Sequence, residues 1–473
     1  MTDRTPDESG DPGDFADMMR QFLSGQGGID PSQLAGAAGL PSDPAALQAL
    51  FAQLQSAMNR GGDDGIDWSV SRRQAAAIAS NGQDAITPAD REAHSRAIEL
   101  AQLWLGEATA FADGGQPTEL LTRAAWTEET MPVWTQLSEP VATSIADALT
   151  RVMAEQTPEE MQEMVRGASG MIRNLGGALF AMQLGQVVGQ LSAEVVSGGD
   201  VGIPLLEAGR SALVPQNIAA FGDELDIPDD QIRLYLAVRE LAHSRLFRHA
   251  KWLRLDLISA ITEYARGIRI DTERLETLAQ DFDPSNPEDL RAALSDGSLI
   301  PPKSDEQLAV LARLEATLAL IEGWVDVVTA EATARLPKAD AIAETVRRRR
   351  ATGGPAESAF STLVGLELRP RRLREAAEMW RRVGSAVGAA AREALWSHPD
   401  LVPQGSDIDD PSSLVARLEA EARGESPEPD DIDQGLAALL DGTLSAGPRE
   451  NASDGSVDDP GSDDTDGDDR PGR

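Results

Sequence analysis

Apolar residues recur three or four positions apart through most of the middle of the chain, and this spacing constrains the fold more than any other feature. Segments such as "DQIRLYLAVRELAHSRLF" and "PRRLREAAEMWRRVGSAVGAAAREALW" carry the pattern, which is typical of helices with one buried face. Proline and glycine separate the segments, as in "IPPKS" and "TGGPAE". Alternating β-branched runs are few. The spacing predicts a mainly α-helical fold, a core of many helices with little or no sheet.

Composition divides the chain into three parts. Residues 1–65 are rich in Gly, Pro, Asp and Ser, with two short amphipathic pieces, which predicts a flexible acidic arm with short helices. Residues 404–473 end in "NASDGSVDDPGSDDTDGDDRPGR". Like charges repel there and little apolar surface is available for burial, so we expect a disordered acidic tail. Residues 66–403 are predicted to form the helical domain.

Charge and cysteine content exclude several classes of function. The chain has 79 acidic and 42 basic residues, a formal net charge of −37, so we do not expect it to bind the phosphate backbone of nucleic acid. It has no cysteine. This excludes disulfides, thiolate nucleophiles, cysteine zinc sites and iron–sulfur clusters. Only His, Asp and Glu remain as metal ligands.

The sequence also bears on location and cofactors. The first residues, "MTDRTPDESGDPGDF", lack the basic start and the apolar run of a secretion signal. The longest apolar stretch, "MIRNLGGALFAMQLGQVVGQLSAEVV", contains too many polar residues for a membrane helix. We predict a cytoplasmic protein without a membrane partner. No glycine-rich phosphate loop follows a strand, so no nucleotide cofactor is expected.

The segment "RELAH" carries the strongest chemical signal. Arg239 and His243 lie four residues apart and project from the same side of a helix, with Glu240 beside them. In zinc peptidases both outer positions are histidines that bind zinc, and the glutamate is the general base. A guanidinium offers only donors and cannot bind zinc. Taken alone, the segment is weak evidence, because short Glu-x-x-His matches occur by chance on many helices, where the histidine is usually an ordinary half-buried residue.

Three residues are candidates for a further metal ligand. Glu322, in "LALIEGWVDVV", ranks first because the stretch resembles the Glu-Gly-aromatic segment of aminopeptidase-like zincins. Glu263 ranks second, since its spacing suits a ligand but it lacks the neighbouring Gly-aromatic pair. His249 ranks third, because Leu246 stands where a helix-breaking glycine is needed and a continuous helix turns His249 away from His243.

Two other patterns have a structural and a functional interpretation. Small residues recur every four positions in the stretch that runs from Gly177 to Ala193. Such a face lets a second backbone approach closely, and we favour tight packing over the lining of a cleft. The run "VRRRR", with Arg347 to Arg350, precedes "ATGGP". Binding of an anionic partner is one interpretation, but we favour a contribution to the helix dipole and the last carbonyls.

The middle of the chain, from Asp67 to Pro403, resembles the actinobacterial zincin-like metallopeptidase family. Matching segments include "GQVVGQLSAEVVSGGDVGIPL", "YLAVRELAHSRLFRHAKWLR" and "LIEGWVDVV", in that order. The resemblance implies a zinc-dependent metallopeptidase, a hydrolase, with zinc as its cofactor. It also implies that Glu240 is the general base and that His243 and Glu322 are zinc ligands, with Arg239 in place of the first histidine.

Two functions remain open from the sequence. The first is a zinc-dependent metallopeptidase that acts on a peptide or protein. The alternative is a non-catalytic pseudopeptidase that serves as a helical scaffold or binds a partner protein. In the second case we expect Arg239 to supply the missing positive charge by bridging Glu240 and Glu322 through charge-assisted hydrogen bonds.

Overall fold

A computed structural model describes most of the predicted helical domain. The described residues are 66–155, 162–207, 209–223, 225–267, 303–351, 355–366 and 372–425. The predicted N-terminal arm and most of the predicted tail lie outside them. None of the described helices is long and apolar enough to cross a membrane.

Helices dominate this part of the chain, which confirms the predicted mainly α-helical class. In chain order they are α1 (Ser69–Ser80), α2 (Pro88–Ala108), α3 (Arg123–Glu155), α4 (Gln162–Leu191), α5 (Pro215–Asp223), α6 (Asp229–His249), α7 (Lys251–Arg266), α8 (Asp305–Ala332), α9 (Ala339–Ala351), α10 (Pro355–Val364), α11 (Leu373–Ala394), α12 (Gly405–Asp409) and α13 (Pro411–Ala422), with a 3-10 turn at Pro399–Leu401.

Sheet structure in the described residues is limited to two short strands. Strand β1 (Glu119–Leu120) pairs in parallel with β2 (Ala212–Leu213), with Glu119 opposite Ala212. Ser197 forms an isolated antiparallel bridge with Leu213. This small sheet fixes the segment before β2 close to helix α6.

Local sequence signals explain where several helices begin. Thr87 caps α2 in a capping box with Asp90, and Ser304 caps α8 in the same way with Gln307. Helix α6 follows Pro228 and has two aspartates in its first turn, where negative charge interacts favourably with the helix dipole. Two of these helices, α6 and α8, carry the candidate site.

The small residues of α4 pack against α1, as predicted. A Cβ atom at Gly185 would lie 2.6 Å from the carbonyl oxygen of Ser71, and one at Gly189 would lie 3.1 Å from that of Ala75. Both glycines face backbone atoms that cannot easily move aside. The four-residue repeat therefore allows close approach of two helices.

Part of the predicted tail is helical. Helices α12 and α13 fall within residues 404–473, and Ile408, Leu414 and Leu418 are buried. Prediction of disorder from residue 404 onward was therefore wrong for residues 405–409 and 411–422. The prediction gave too much weight to the acidic composition. A few apolar residues at helical spacing are enough to give these helices a buried side.

Helices α6 and α8 contain long stretches in which every residue is buried. Every residue of α6 from Leu234 to Phe247 is buried, as is every residue of α8 from Leu318 to Thr329. Helix α11 approaches α8 closely at Gly323, where a Cβ atom would lie 2.8 Å from the backbone nitrogen of Ala377. The polar side chains in these buried stretches must therefore find partners inside the protein.

Candidate functional site

Helix α6 contributes three polar residues to one buried region. Arg239, Glu240 and His243 are only 6%, 2% and 2% exposed. The Nδ1 atom of His243 donates to the carbonyl oxygen of Arg239 at 3.1 Å, which orients the imidazole on the helix surface. Its Nε2 atom consequently points away from α6 towards α8.

Glu322 of α8 meets two of these residues. Its side chain is 1% exposed, and its Oε2 atom accepts a hydrogen bond from Nη2 of Arg239. Its Oε1 atom lies 3.1 Å from Nε2 of His243. The structure thus brings together three residues that were predicted to share one site. Of the three candidates for a further metal ligand, the one ranked first, Glu322, is the one that contacts His243.

A second arginine, which we did not predict as a site residue, also contacts Glu322. Nη1 of Arg350, near the end of α9, lies 2.6 Å from Oε1 of Glu322, and the Arg350 side chain is 13% exposed. From the sequence we had favoured a role for this arginine run at the helix end. The signal that could have pointed to Arg350 is a run of four consecutive arginines in a strongly acidic protein, but such a run does not specify which residue each arginine contacts.

The charges around Glu322 decide its ionisation. Burial by itself raises the pKa of this carboxyl, but Arg350, Arg239 and His243 lower it more strongly, so the pKa of Glu322 lies well below its ordinary value. Glu322 is therefore a carboxylate at neutral pH. Two guanidinium groups contact one buried carboxylate, an arrangement that needs no external cation.

Glu240 has different partners from those predicted. Its Oε2 atom accepts from the backbone nitrogen of Gly199 at 2.8 Å, and its Oε1 atom accepts from that of Ala212 at 2.9 Å. The expected bridge from Arg239 to both glutamates is wrong for Glu240, because adjacent residues project from different sides of a helix. Burial raises the pKa of Glu240, while the hydrogen bonds from these amides act in the opposite direction.

A glycine-rich loop, residues 197–202, covers the site. Gly202 has a φ of +84°, and a Cβ atom there would lie 3.3 Å from both Nη1 of Arg350 and Oε1 of Glu322. Nη2 of Arg350 donates to the carbonyl oxygen of Asp200 at 2.8 Å, and Arg349 pairs with the Asp200 carboxylate at 3.4 Å. The loop is therefore held between α6 and α9, and the charged groups beneath it are shielded from solvent.

A second set of polar residues lies one helical turn away. Asp326 follows Glu322 by four residues on α8, and its Oδ1 atom accepts from Nε of Arg347 at 3.2 Å. Tyr235 precedes Arg239 by four residues on α6, and burial raises its pKa to about 12. Polar groups at the contact of α6, α8 and α9 thus extend over two helical turns.

The two lower-ranked metal candidates lie outside this cluster. Glu263, on α7, is 62% exposed and pairs with Arg313 at 3.3 Å. His249 is the last residue of α6, stacks on Phe111 with ring centroids 4.5 Å apart and has its Nε2 atom 3.3 Å from the carbonyl oxygen of Ala112. The partners of both residues are therefore different from those of the Glu322 cluster.

The cluster does not have the donor set of a zinc site. Catalytic zinc usually has three protein ligands. Here Arg239 cannot be one, and guanidinium nitrogens already contact both carboxylate oxygens of Glu322. Across the described residues there is no group of three or more His, Asp or Glu side chains arranged to hold a metal ion. As arranged, the two guanidiniums offset the charge of the buried Glu322 carboxylate, and the contacts join α6, α8 and α9.

Comparisons with known proteins agree with this fold. No curated protein matches the sequence. A crystal structure from Chloroflexus aurantiacus, of a protein provisionally described as a hydrolase with a novel fold, matches with a TM-score of 0.51 at 20% identity and covers 75% of this chain and 99% of that chain. At this identity the similarity concerns the fold alone. The zincin-like metallopeptidase family model matches residues 66–415. Because this match spans most of its length, the chain belongs to the zincin-like metallopeptidase family.

Proposed function

We propose that this chain is a non-catalytic member of its family, a pseudopeptidase that acts as a helical scaffold or binds a partner protein. The observation that carries the proposal is the contact of both Arg239 and Arg350 with Glu322. The two guanidiniums together carry two positive charges, the same formal charge as one zinc ion.

The energetics of burial support this reading. An isolated carboxylate is costly inside a protein, and the cost is offset only when charged partners and hydrogen bonds satisfy it. Glu322 is 1% exposed and has such partners on α6 and α9. The arginines therefore stabilise the buried carboxylate in place of a metal ion. They also link α8 to α6 and α9.

The surroundings of Glu240 support the same conclusion. A general base must reach the proton that it abstracts, directly or through one water molecule. Both carboxylate oxygens of Glu240 instead accept hydrogen bonds from backbone amides, and the side chain is buried beneath the loop that contains Gly199. In this arrangement Glu240 attaches the loop to α6.

A zinc-dependent metallopeptidase is the second candidate function. Membership of the family favours it, as does the 3.1 Å separation between His243 and Glu322. This function requires Arg350 to leave Glu322 and a further ligand to replace Arg239. Its roles for Glu240, His243 and Glu322 remain those implied by the family resemblance.

Zinc binding by a small series of variants separates the two candidates. The series comprises the wild type, Arg239→His, and Arg239→His combined with Arg350→Gln, each dialysed against zinc and checked for folding by circular dichroism. We expect one tightly bound zinc only in the double variant, since it alone has a free Glu322 and three possible ligands. A further His243→Ala substitution should remove that zinc.

The control exchanges a neighbouring arginine of the same run. Arg348 has a 73% exposed side chain and a contact of 3.9 Å to Glu344. Arg239→His with Arg348→Gln should therefore bind zinc no better than Arg239→His alone. A wild type that binds one zinc, and whose hydrolysis of a fluorogenic peptide mixture is lost in Glu240→Gln, would instead establish the peptidase.

A further inference from the structure

Helix α6 has a second buried cation, on a different side from the one that faces Glu322. Arg245 is 2% exposed. Its Nη1 atom donates to the carbonyl oxygen of Phe111 and its Nη2 atom to that of Gln102, both at 3.2 Å. Its Nε atom is buried and has no hydrogen-bond partner in the described part of the chain. A buried N–H without an acceptor is costly, particularly on a charged group.

The neighbouring Arg248 has unsatisfied donors as well. Its Nη2 atom donates to the carbonyl oxygen of Gly209 at 2.8 Å and to Oγ of Ser244 at 3.0 Å. Its Nε and Nη1 atoms are buried and lack hydrogen-bond partners among the described residues. The nearest recorded carboxylate is that of Asp113, 3.8 Å from Nη1, which is too long for a hydrogen bond.

Ion pairing therefore differs between the two sides of α6. Both guanidiniums at Glu322 contact the carboxylate directly, whereas the Asp113 carboxylate lies 3.8 Å from Arg248. Burial lowers the pKa of Arg245; Arg248 lowers it further, and Asp113 raises it. An additional negative charge between the two arginines would relieve both the desolvation cost and their mutual repulsion.

The backbone next to Arg248 contains two glycines. A Cβ atom at Gly114 would overlap Nη1 of Arg248, and one at Gly209, which has a φ of +80°, would lie 3.1 Å from its Nε. Residues 112–117 are exposed. An anion could reach the unpartnered N–H groups if the backbone at Asp113 to Gly115 moved aside, with no helix displaced.

We propose that Arg245 and Arg248 form a binding site for an oxyanion, a carboxylate or phosphate group, which enters beneath the segment from Asp113 to Gly115. Arg245 Nε, Arg248 Nε and Arg248 Nη1 are the donors left for such a ligand, and a charged N–H donates a strong hydrogen bond to the oxygen of a carboxylate or phosphate. Asp113 partly takes the place of this ligand and competes with it. The site is independent of the Glu322 cluster and does not rest on the proposed function.

Anion titration of the full-length chain tests this proposal. Inorganic phosphate and acetate are titrated separately, by isothermal calorimetry and by thermal unfolding, with ionic strength held constant by chloride. Arg248→Gln should weaken binding at least about tenfold, because charge-assisted hydrogen bonds are lost. Asp113→Asn should tighten binding roughly threefold by removing the competing charge.

Controls separate a specific site from general salt effects. Arg313→Gln alters an exposed arginine that pairs with Glu263, and it should leave binding unchanged. Saturable binding of phosphate alone assigns a phosphate ligand, whereas equal binding of acetate assigns the wider carboxylate class. The proposal is overturned if the folded wild type binds neither anion saturably, or if Arg248→Gln and Asp113→Asn both bind like the wild type.

Discussion

At the residue scale, the contacts of Glu322 are the main feature of the candidate site. A carboxylate that is 1% exposed contacts two guanidiniums and lies 3.1 Å from an imidazole nitrogen. Such a group is stable only while its partners remain, since loss of one partner leaves an uncompensated buried charge. The residues at this site should therefore be much more sensitive to substitution than exposed ion pairs of the same chemical type.

Arg239→Ala should lower the free energy of unfolding by about 3 kcal/mol, the lower end of the range for breaking a buried pair, because Arg350 still contacts Glu322. The matched control is Arg313→Ala, which breaks the exposed pair with Glu263 and should cost less than about 1 kcal/mol. Urea denaturation of the three proteins measures both values. Equal costs for the two substitutions would contradict a buried role for Arg239.

The effect of Glu322→Gln should depend on pH. The pKa of Glu322 is lowered in the folded protein, so its stabilising contribution is present above the ordinary glutamate pKa of about 4.3 and is lost as pH falls below it. The stability difference between wild type and Glu322→Gln should therefore be constant above about pH 5. Below this it should shrink by up to about 1.4 kcal/mol per pH unit.

Glu240 contributes with the opposite sign, since its raised pKa gives stability that is lost as pH rises. It is present in both proteins, so its contribution cancels in the comparison. Unfolding curves at a series of pH values from 3 to about 7 test the prediction. A difference that stays constant over this range would show that Glu322 does not titrate abnormally.

Sequence patterns predicted part of this residue-level arrangement. The four-residue spacing of Arg239 and His243 fixed their common side of α6, and the Glu-Gly-Trp stretch singled out Glu322. Arg350 could not be predicted as their partner, because its position depends on how α9 packs against α6 and α8. The amide partners of Glu240 lie in and beside an irregular loop, where no residue periodicity specifies direction.

At the scale of the elements, glycine positions decide how closely helices approach. A Cβ atom at Gly185 on α4 would lie 2.6 Å from a backbone oxygen of α1. Gly106 on α2 is exposed, and a Cβ atom there would have nothing within 4 Å. The two glycines therefore form a natural matched pair, one required by packing and one exposed.

Gly185→Ala should destabilise the protein by about 1–3 kcal/mol, because α1 must shift to make room for the methyl group. Gly106→Ala should instead stabilise it by roughly 0.5–1 kcal/mol, since alanine has the higher helix propensity. Thermal unfolding of both variants measures the difference. If Gly185→Ala were as stable as Gly106→Ala, the close contact between α1 and α4 would be wrong.

Helical periodicity was informative about elements but not about their limits. It predicted the class, the helix that contains Arg239 and the one that contains Glu322. It did not predict α12 and α13, because the apolar residues between 405 and 422 are few and lie among many acidic ones. The strands have only two residues each, which is too short for an alternation of apolar and polar residues to be recognised.

At the scale of the whole molecule, α6, α8 and α9 share buried charges, and a glycine-rich loop closes over them. Family membership follows from the match over residues 66–415, yet the side chains at the site do not form a zinc-binding set. The sequence indicated this conflict through Arg239 alone. The fold adds Arg350 and the amide contacts of Glu240, both of which depend on tertiary packing.

Zinc content of the full-length wild type, purified without chelators, tests the central claim most directly. If arginines supply the positive charge at Glu322, elemental analysis should find far less than one zinc per chain. Addition of a chelator should also leave the thermal midpoint unchanged. One zinc per chain that resists dialysis and disappears in His243→Ala would contradict the account.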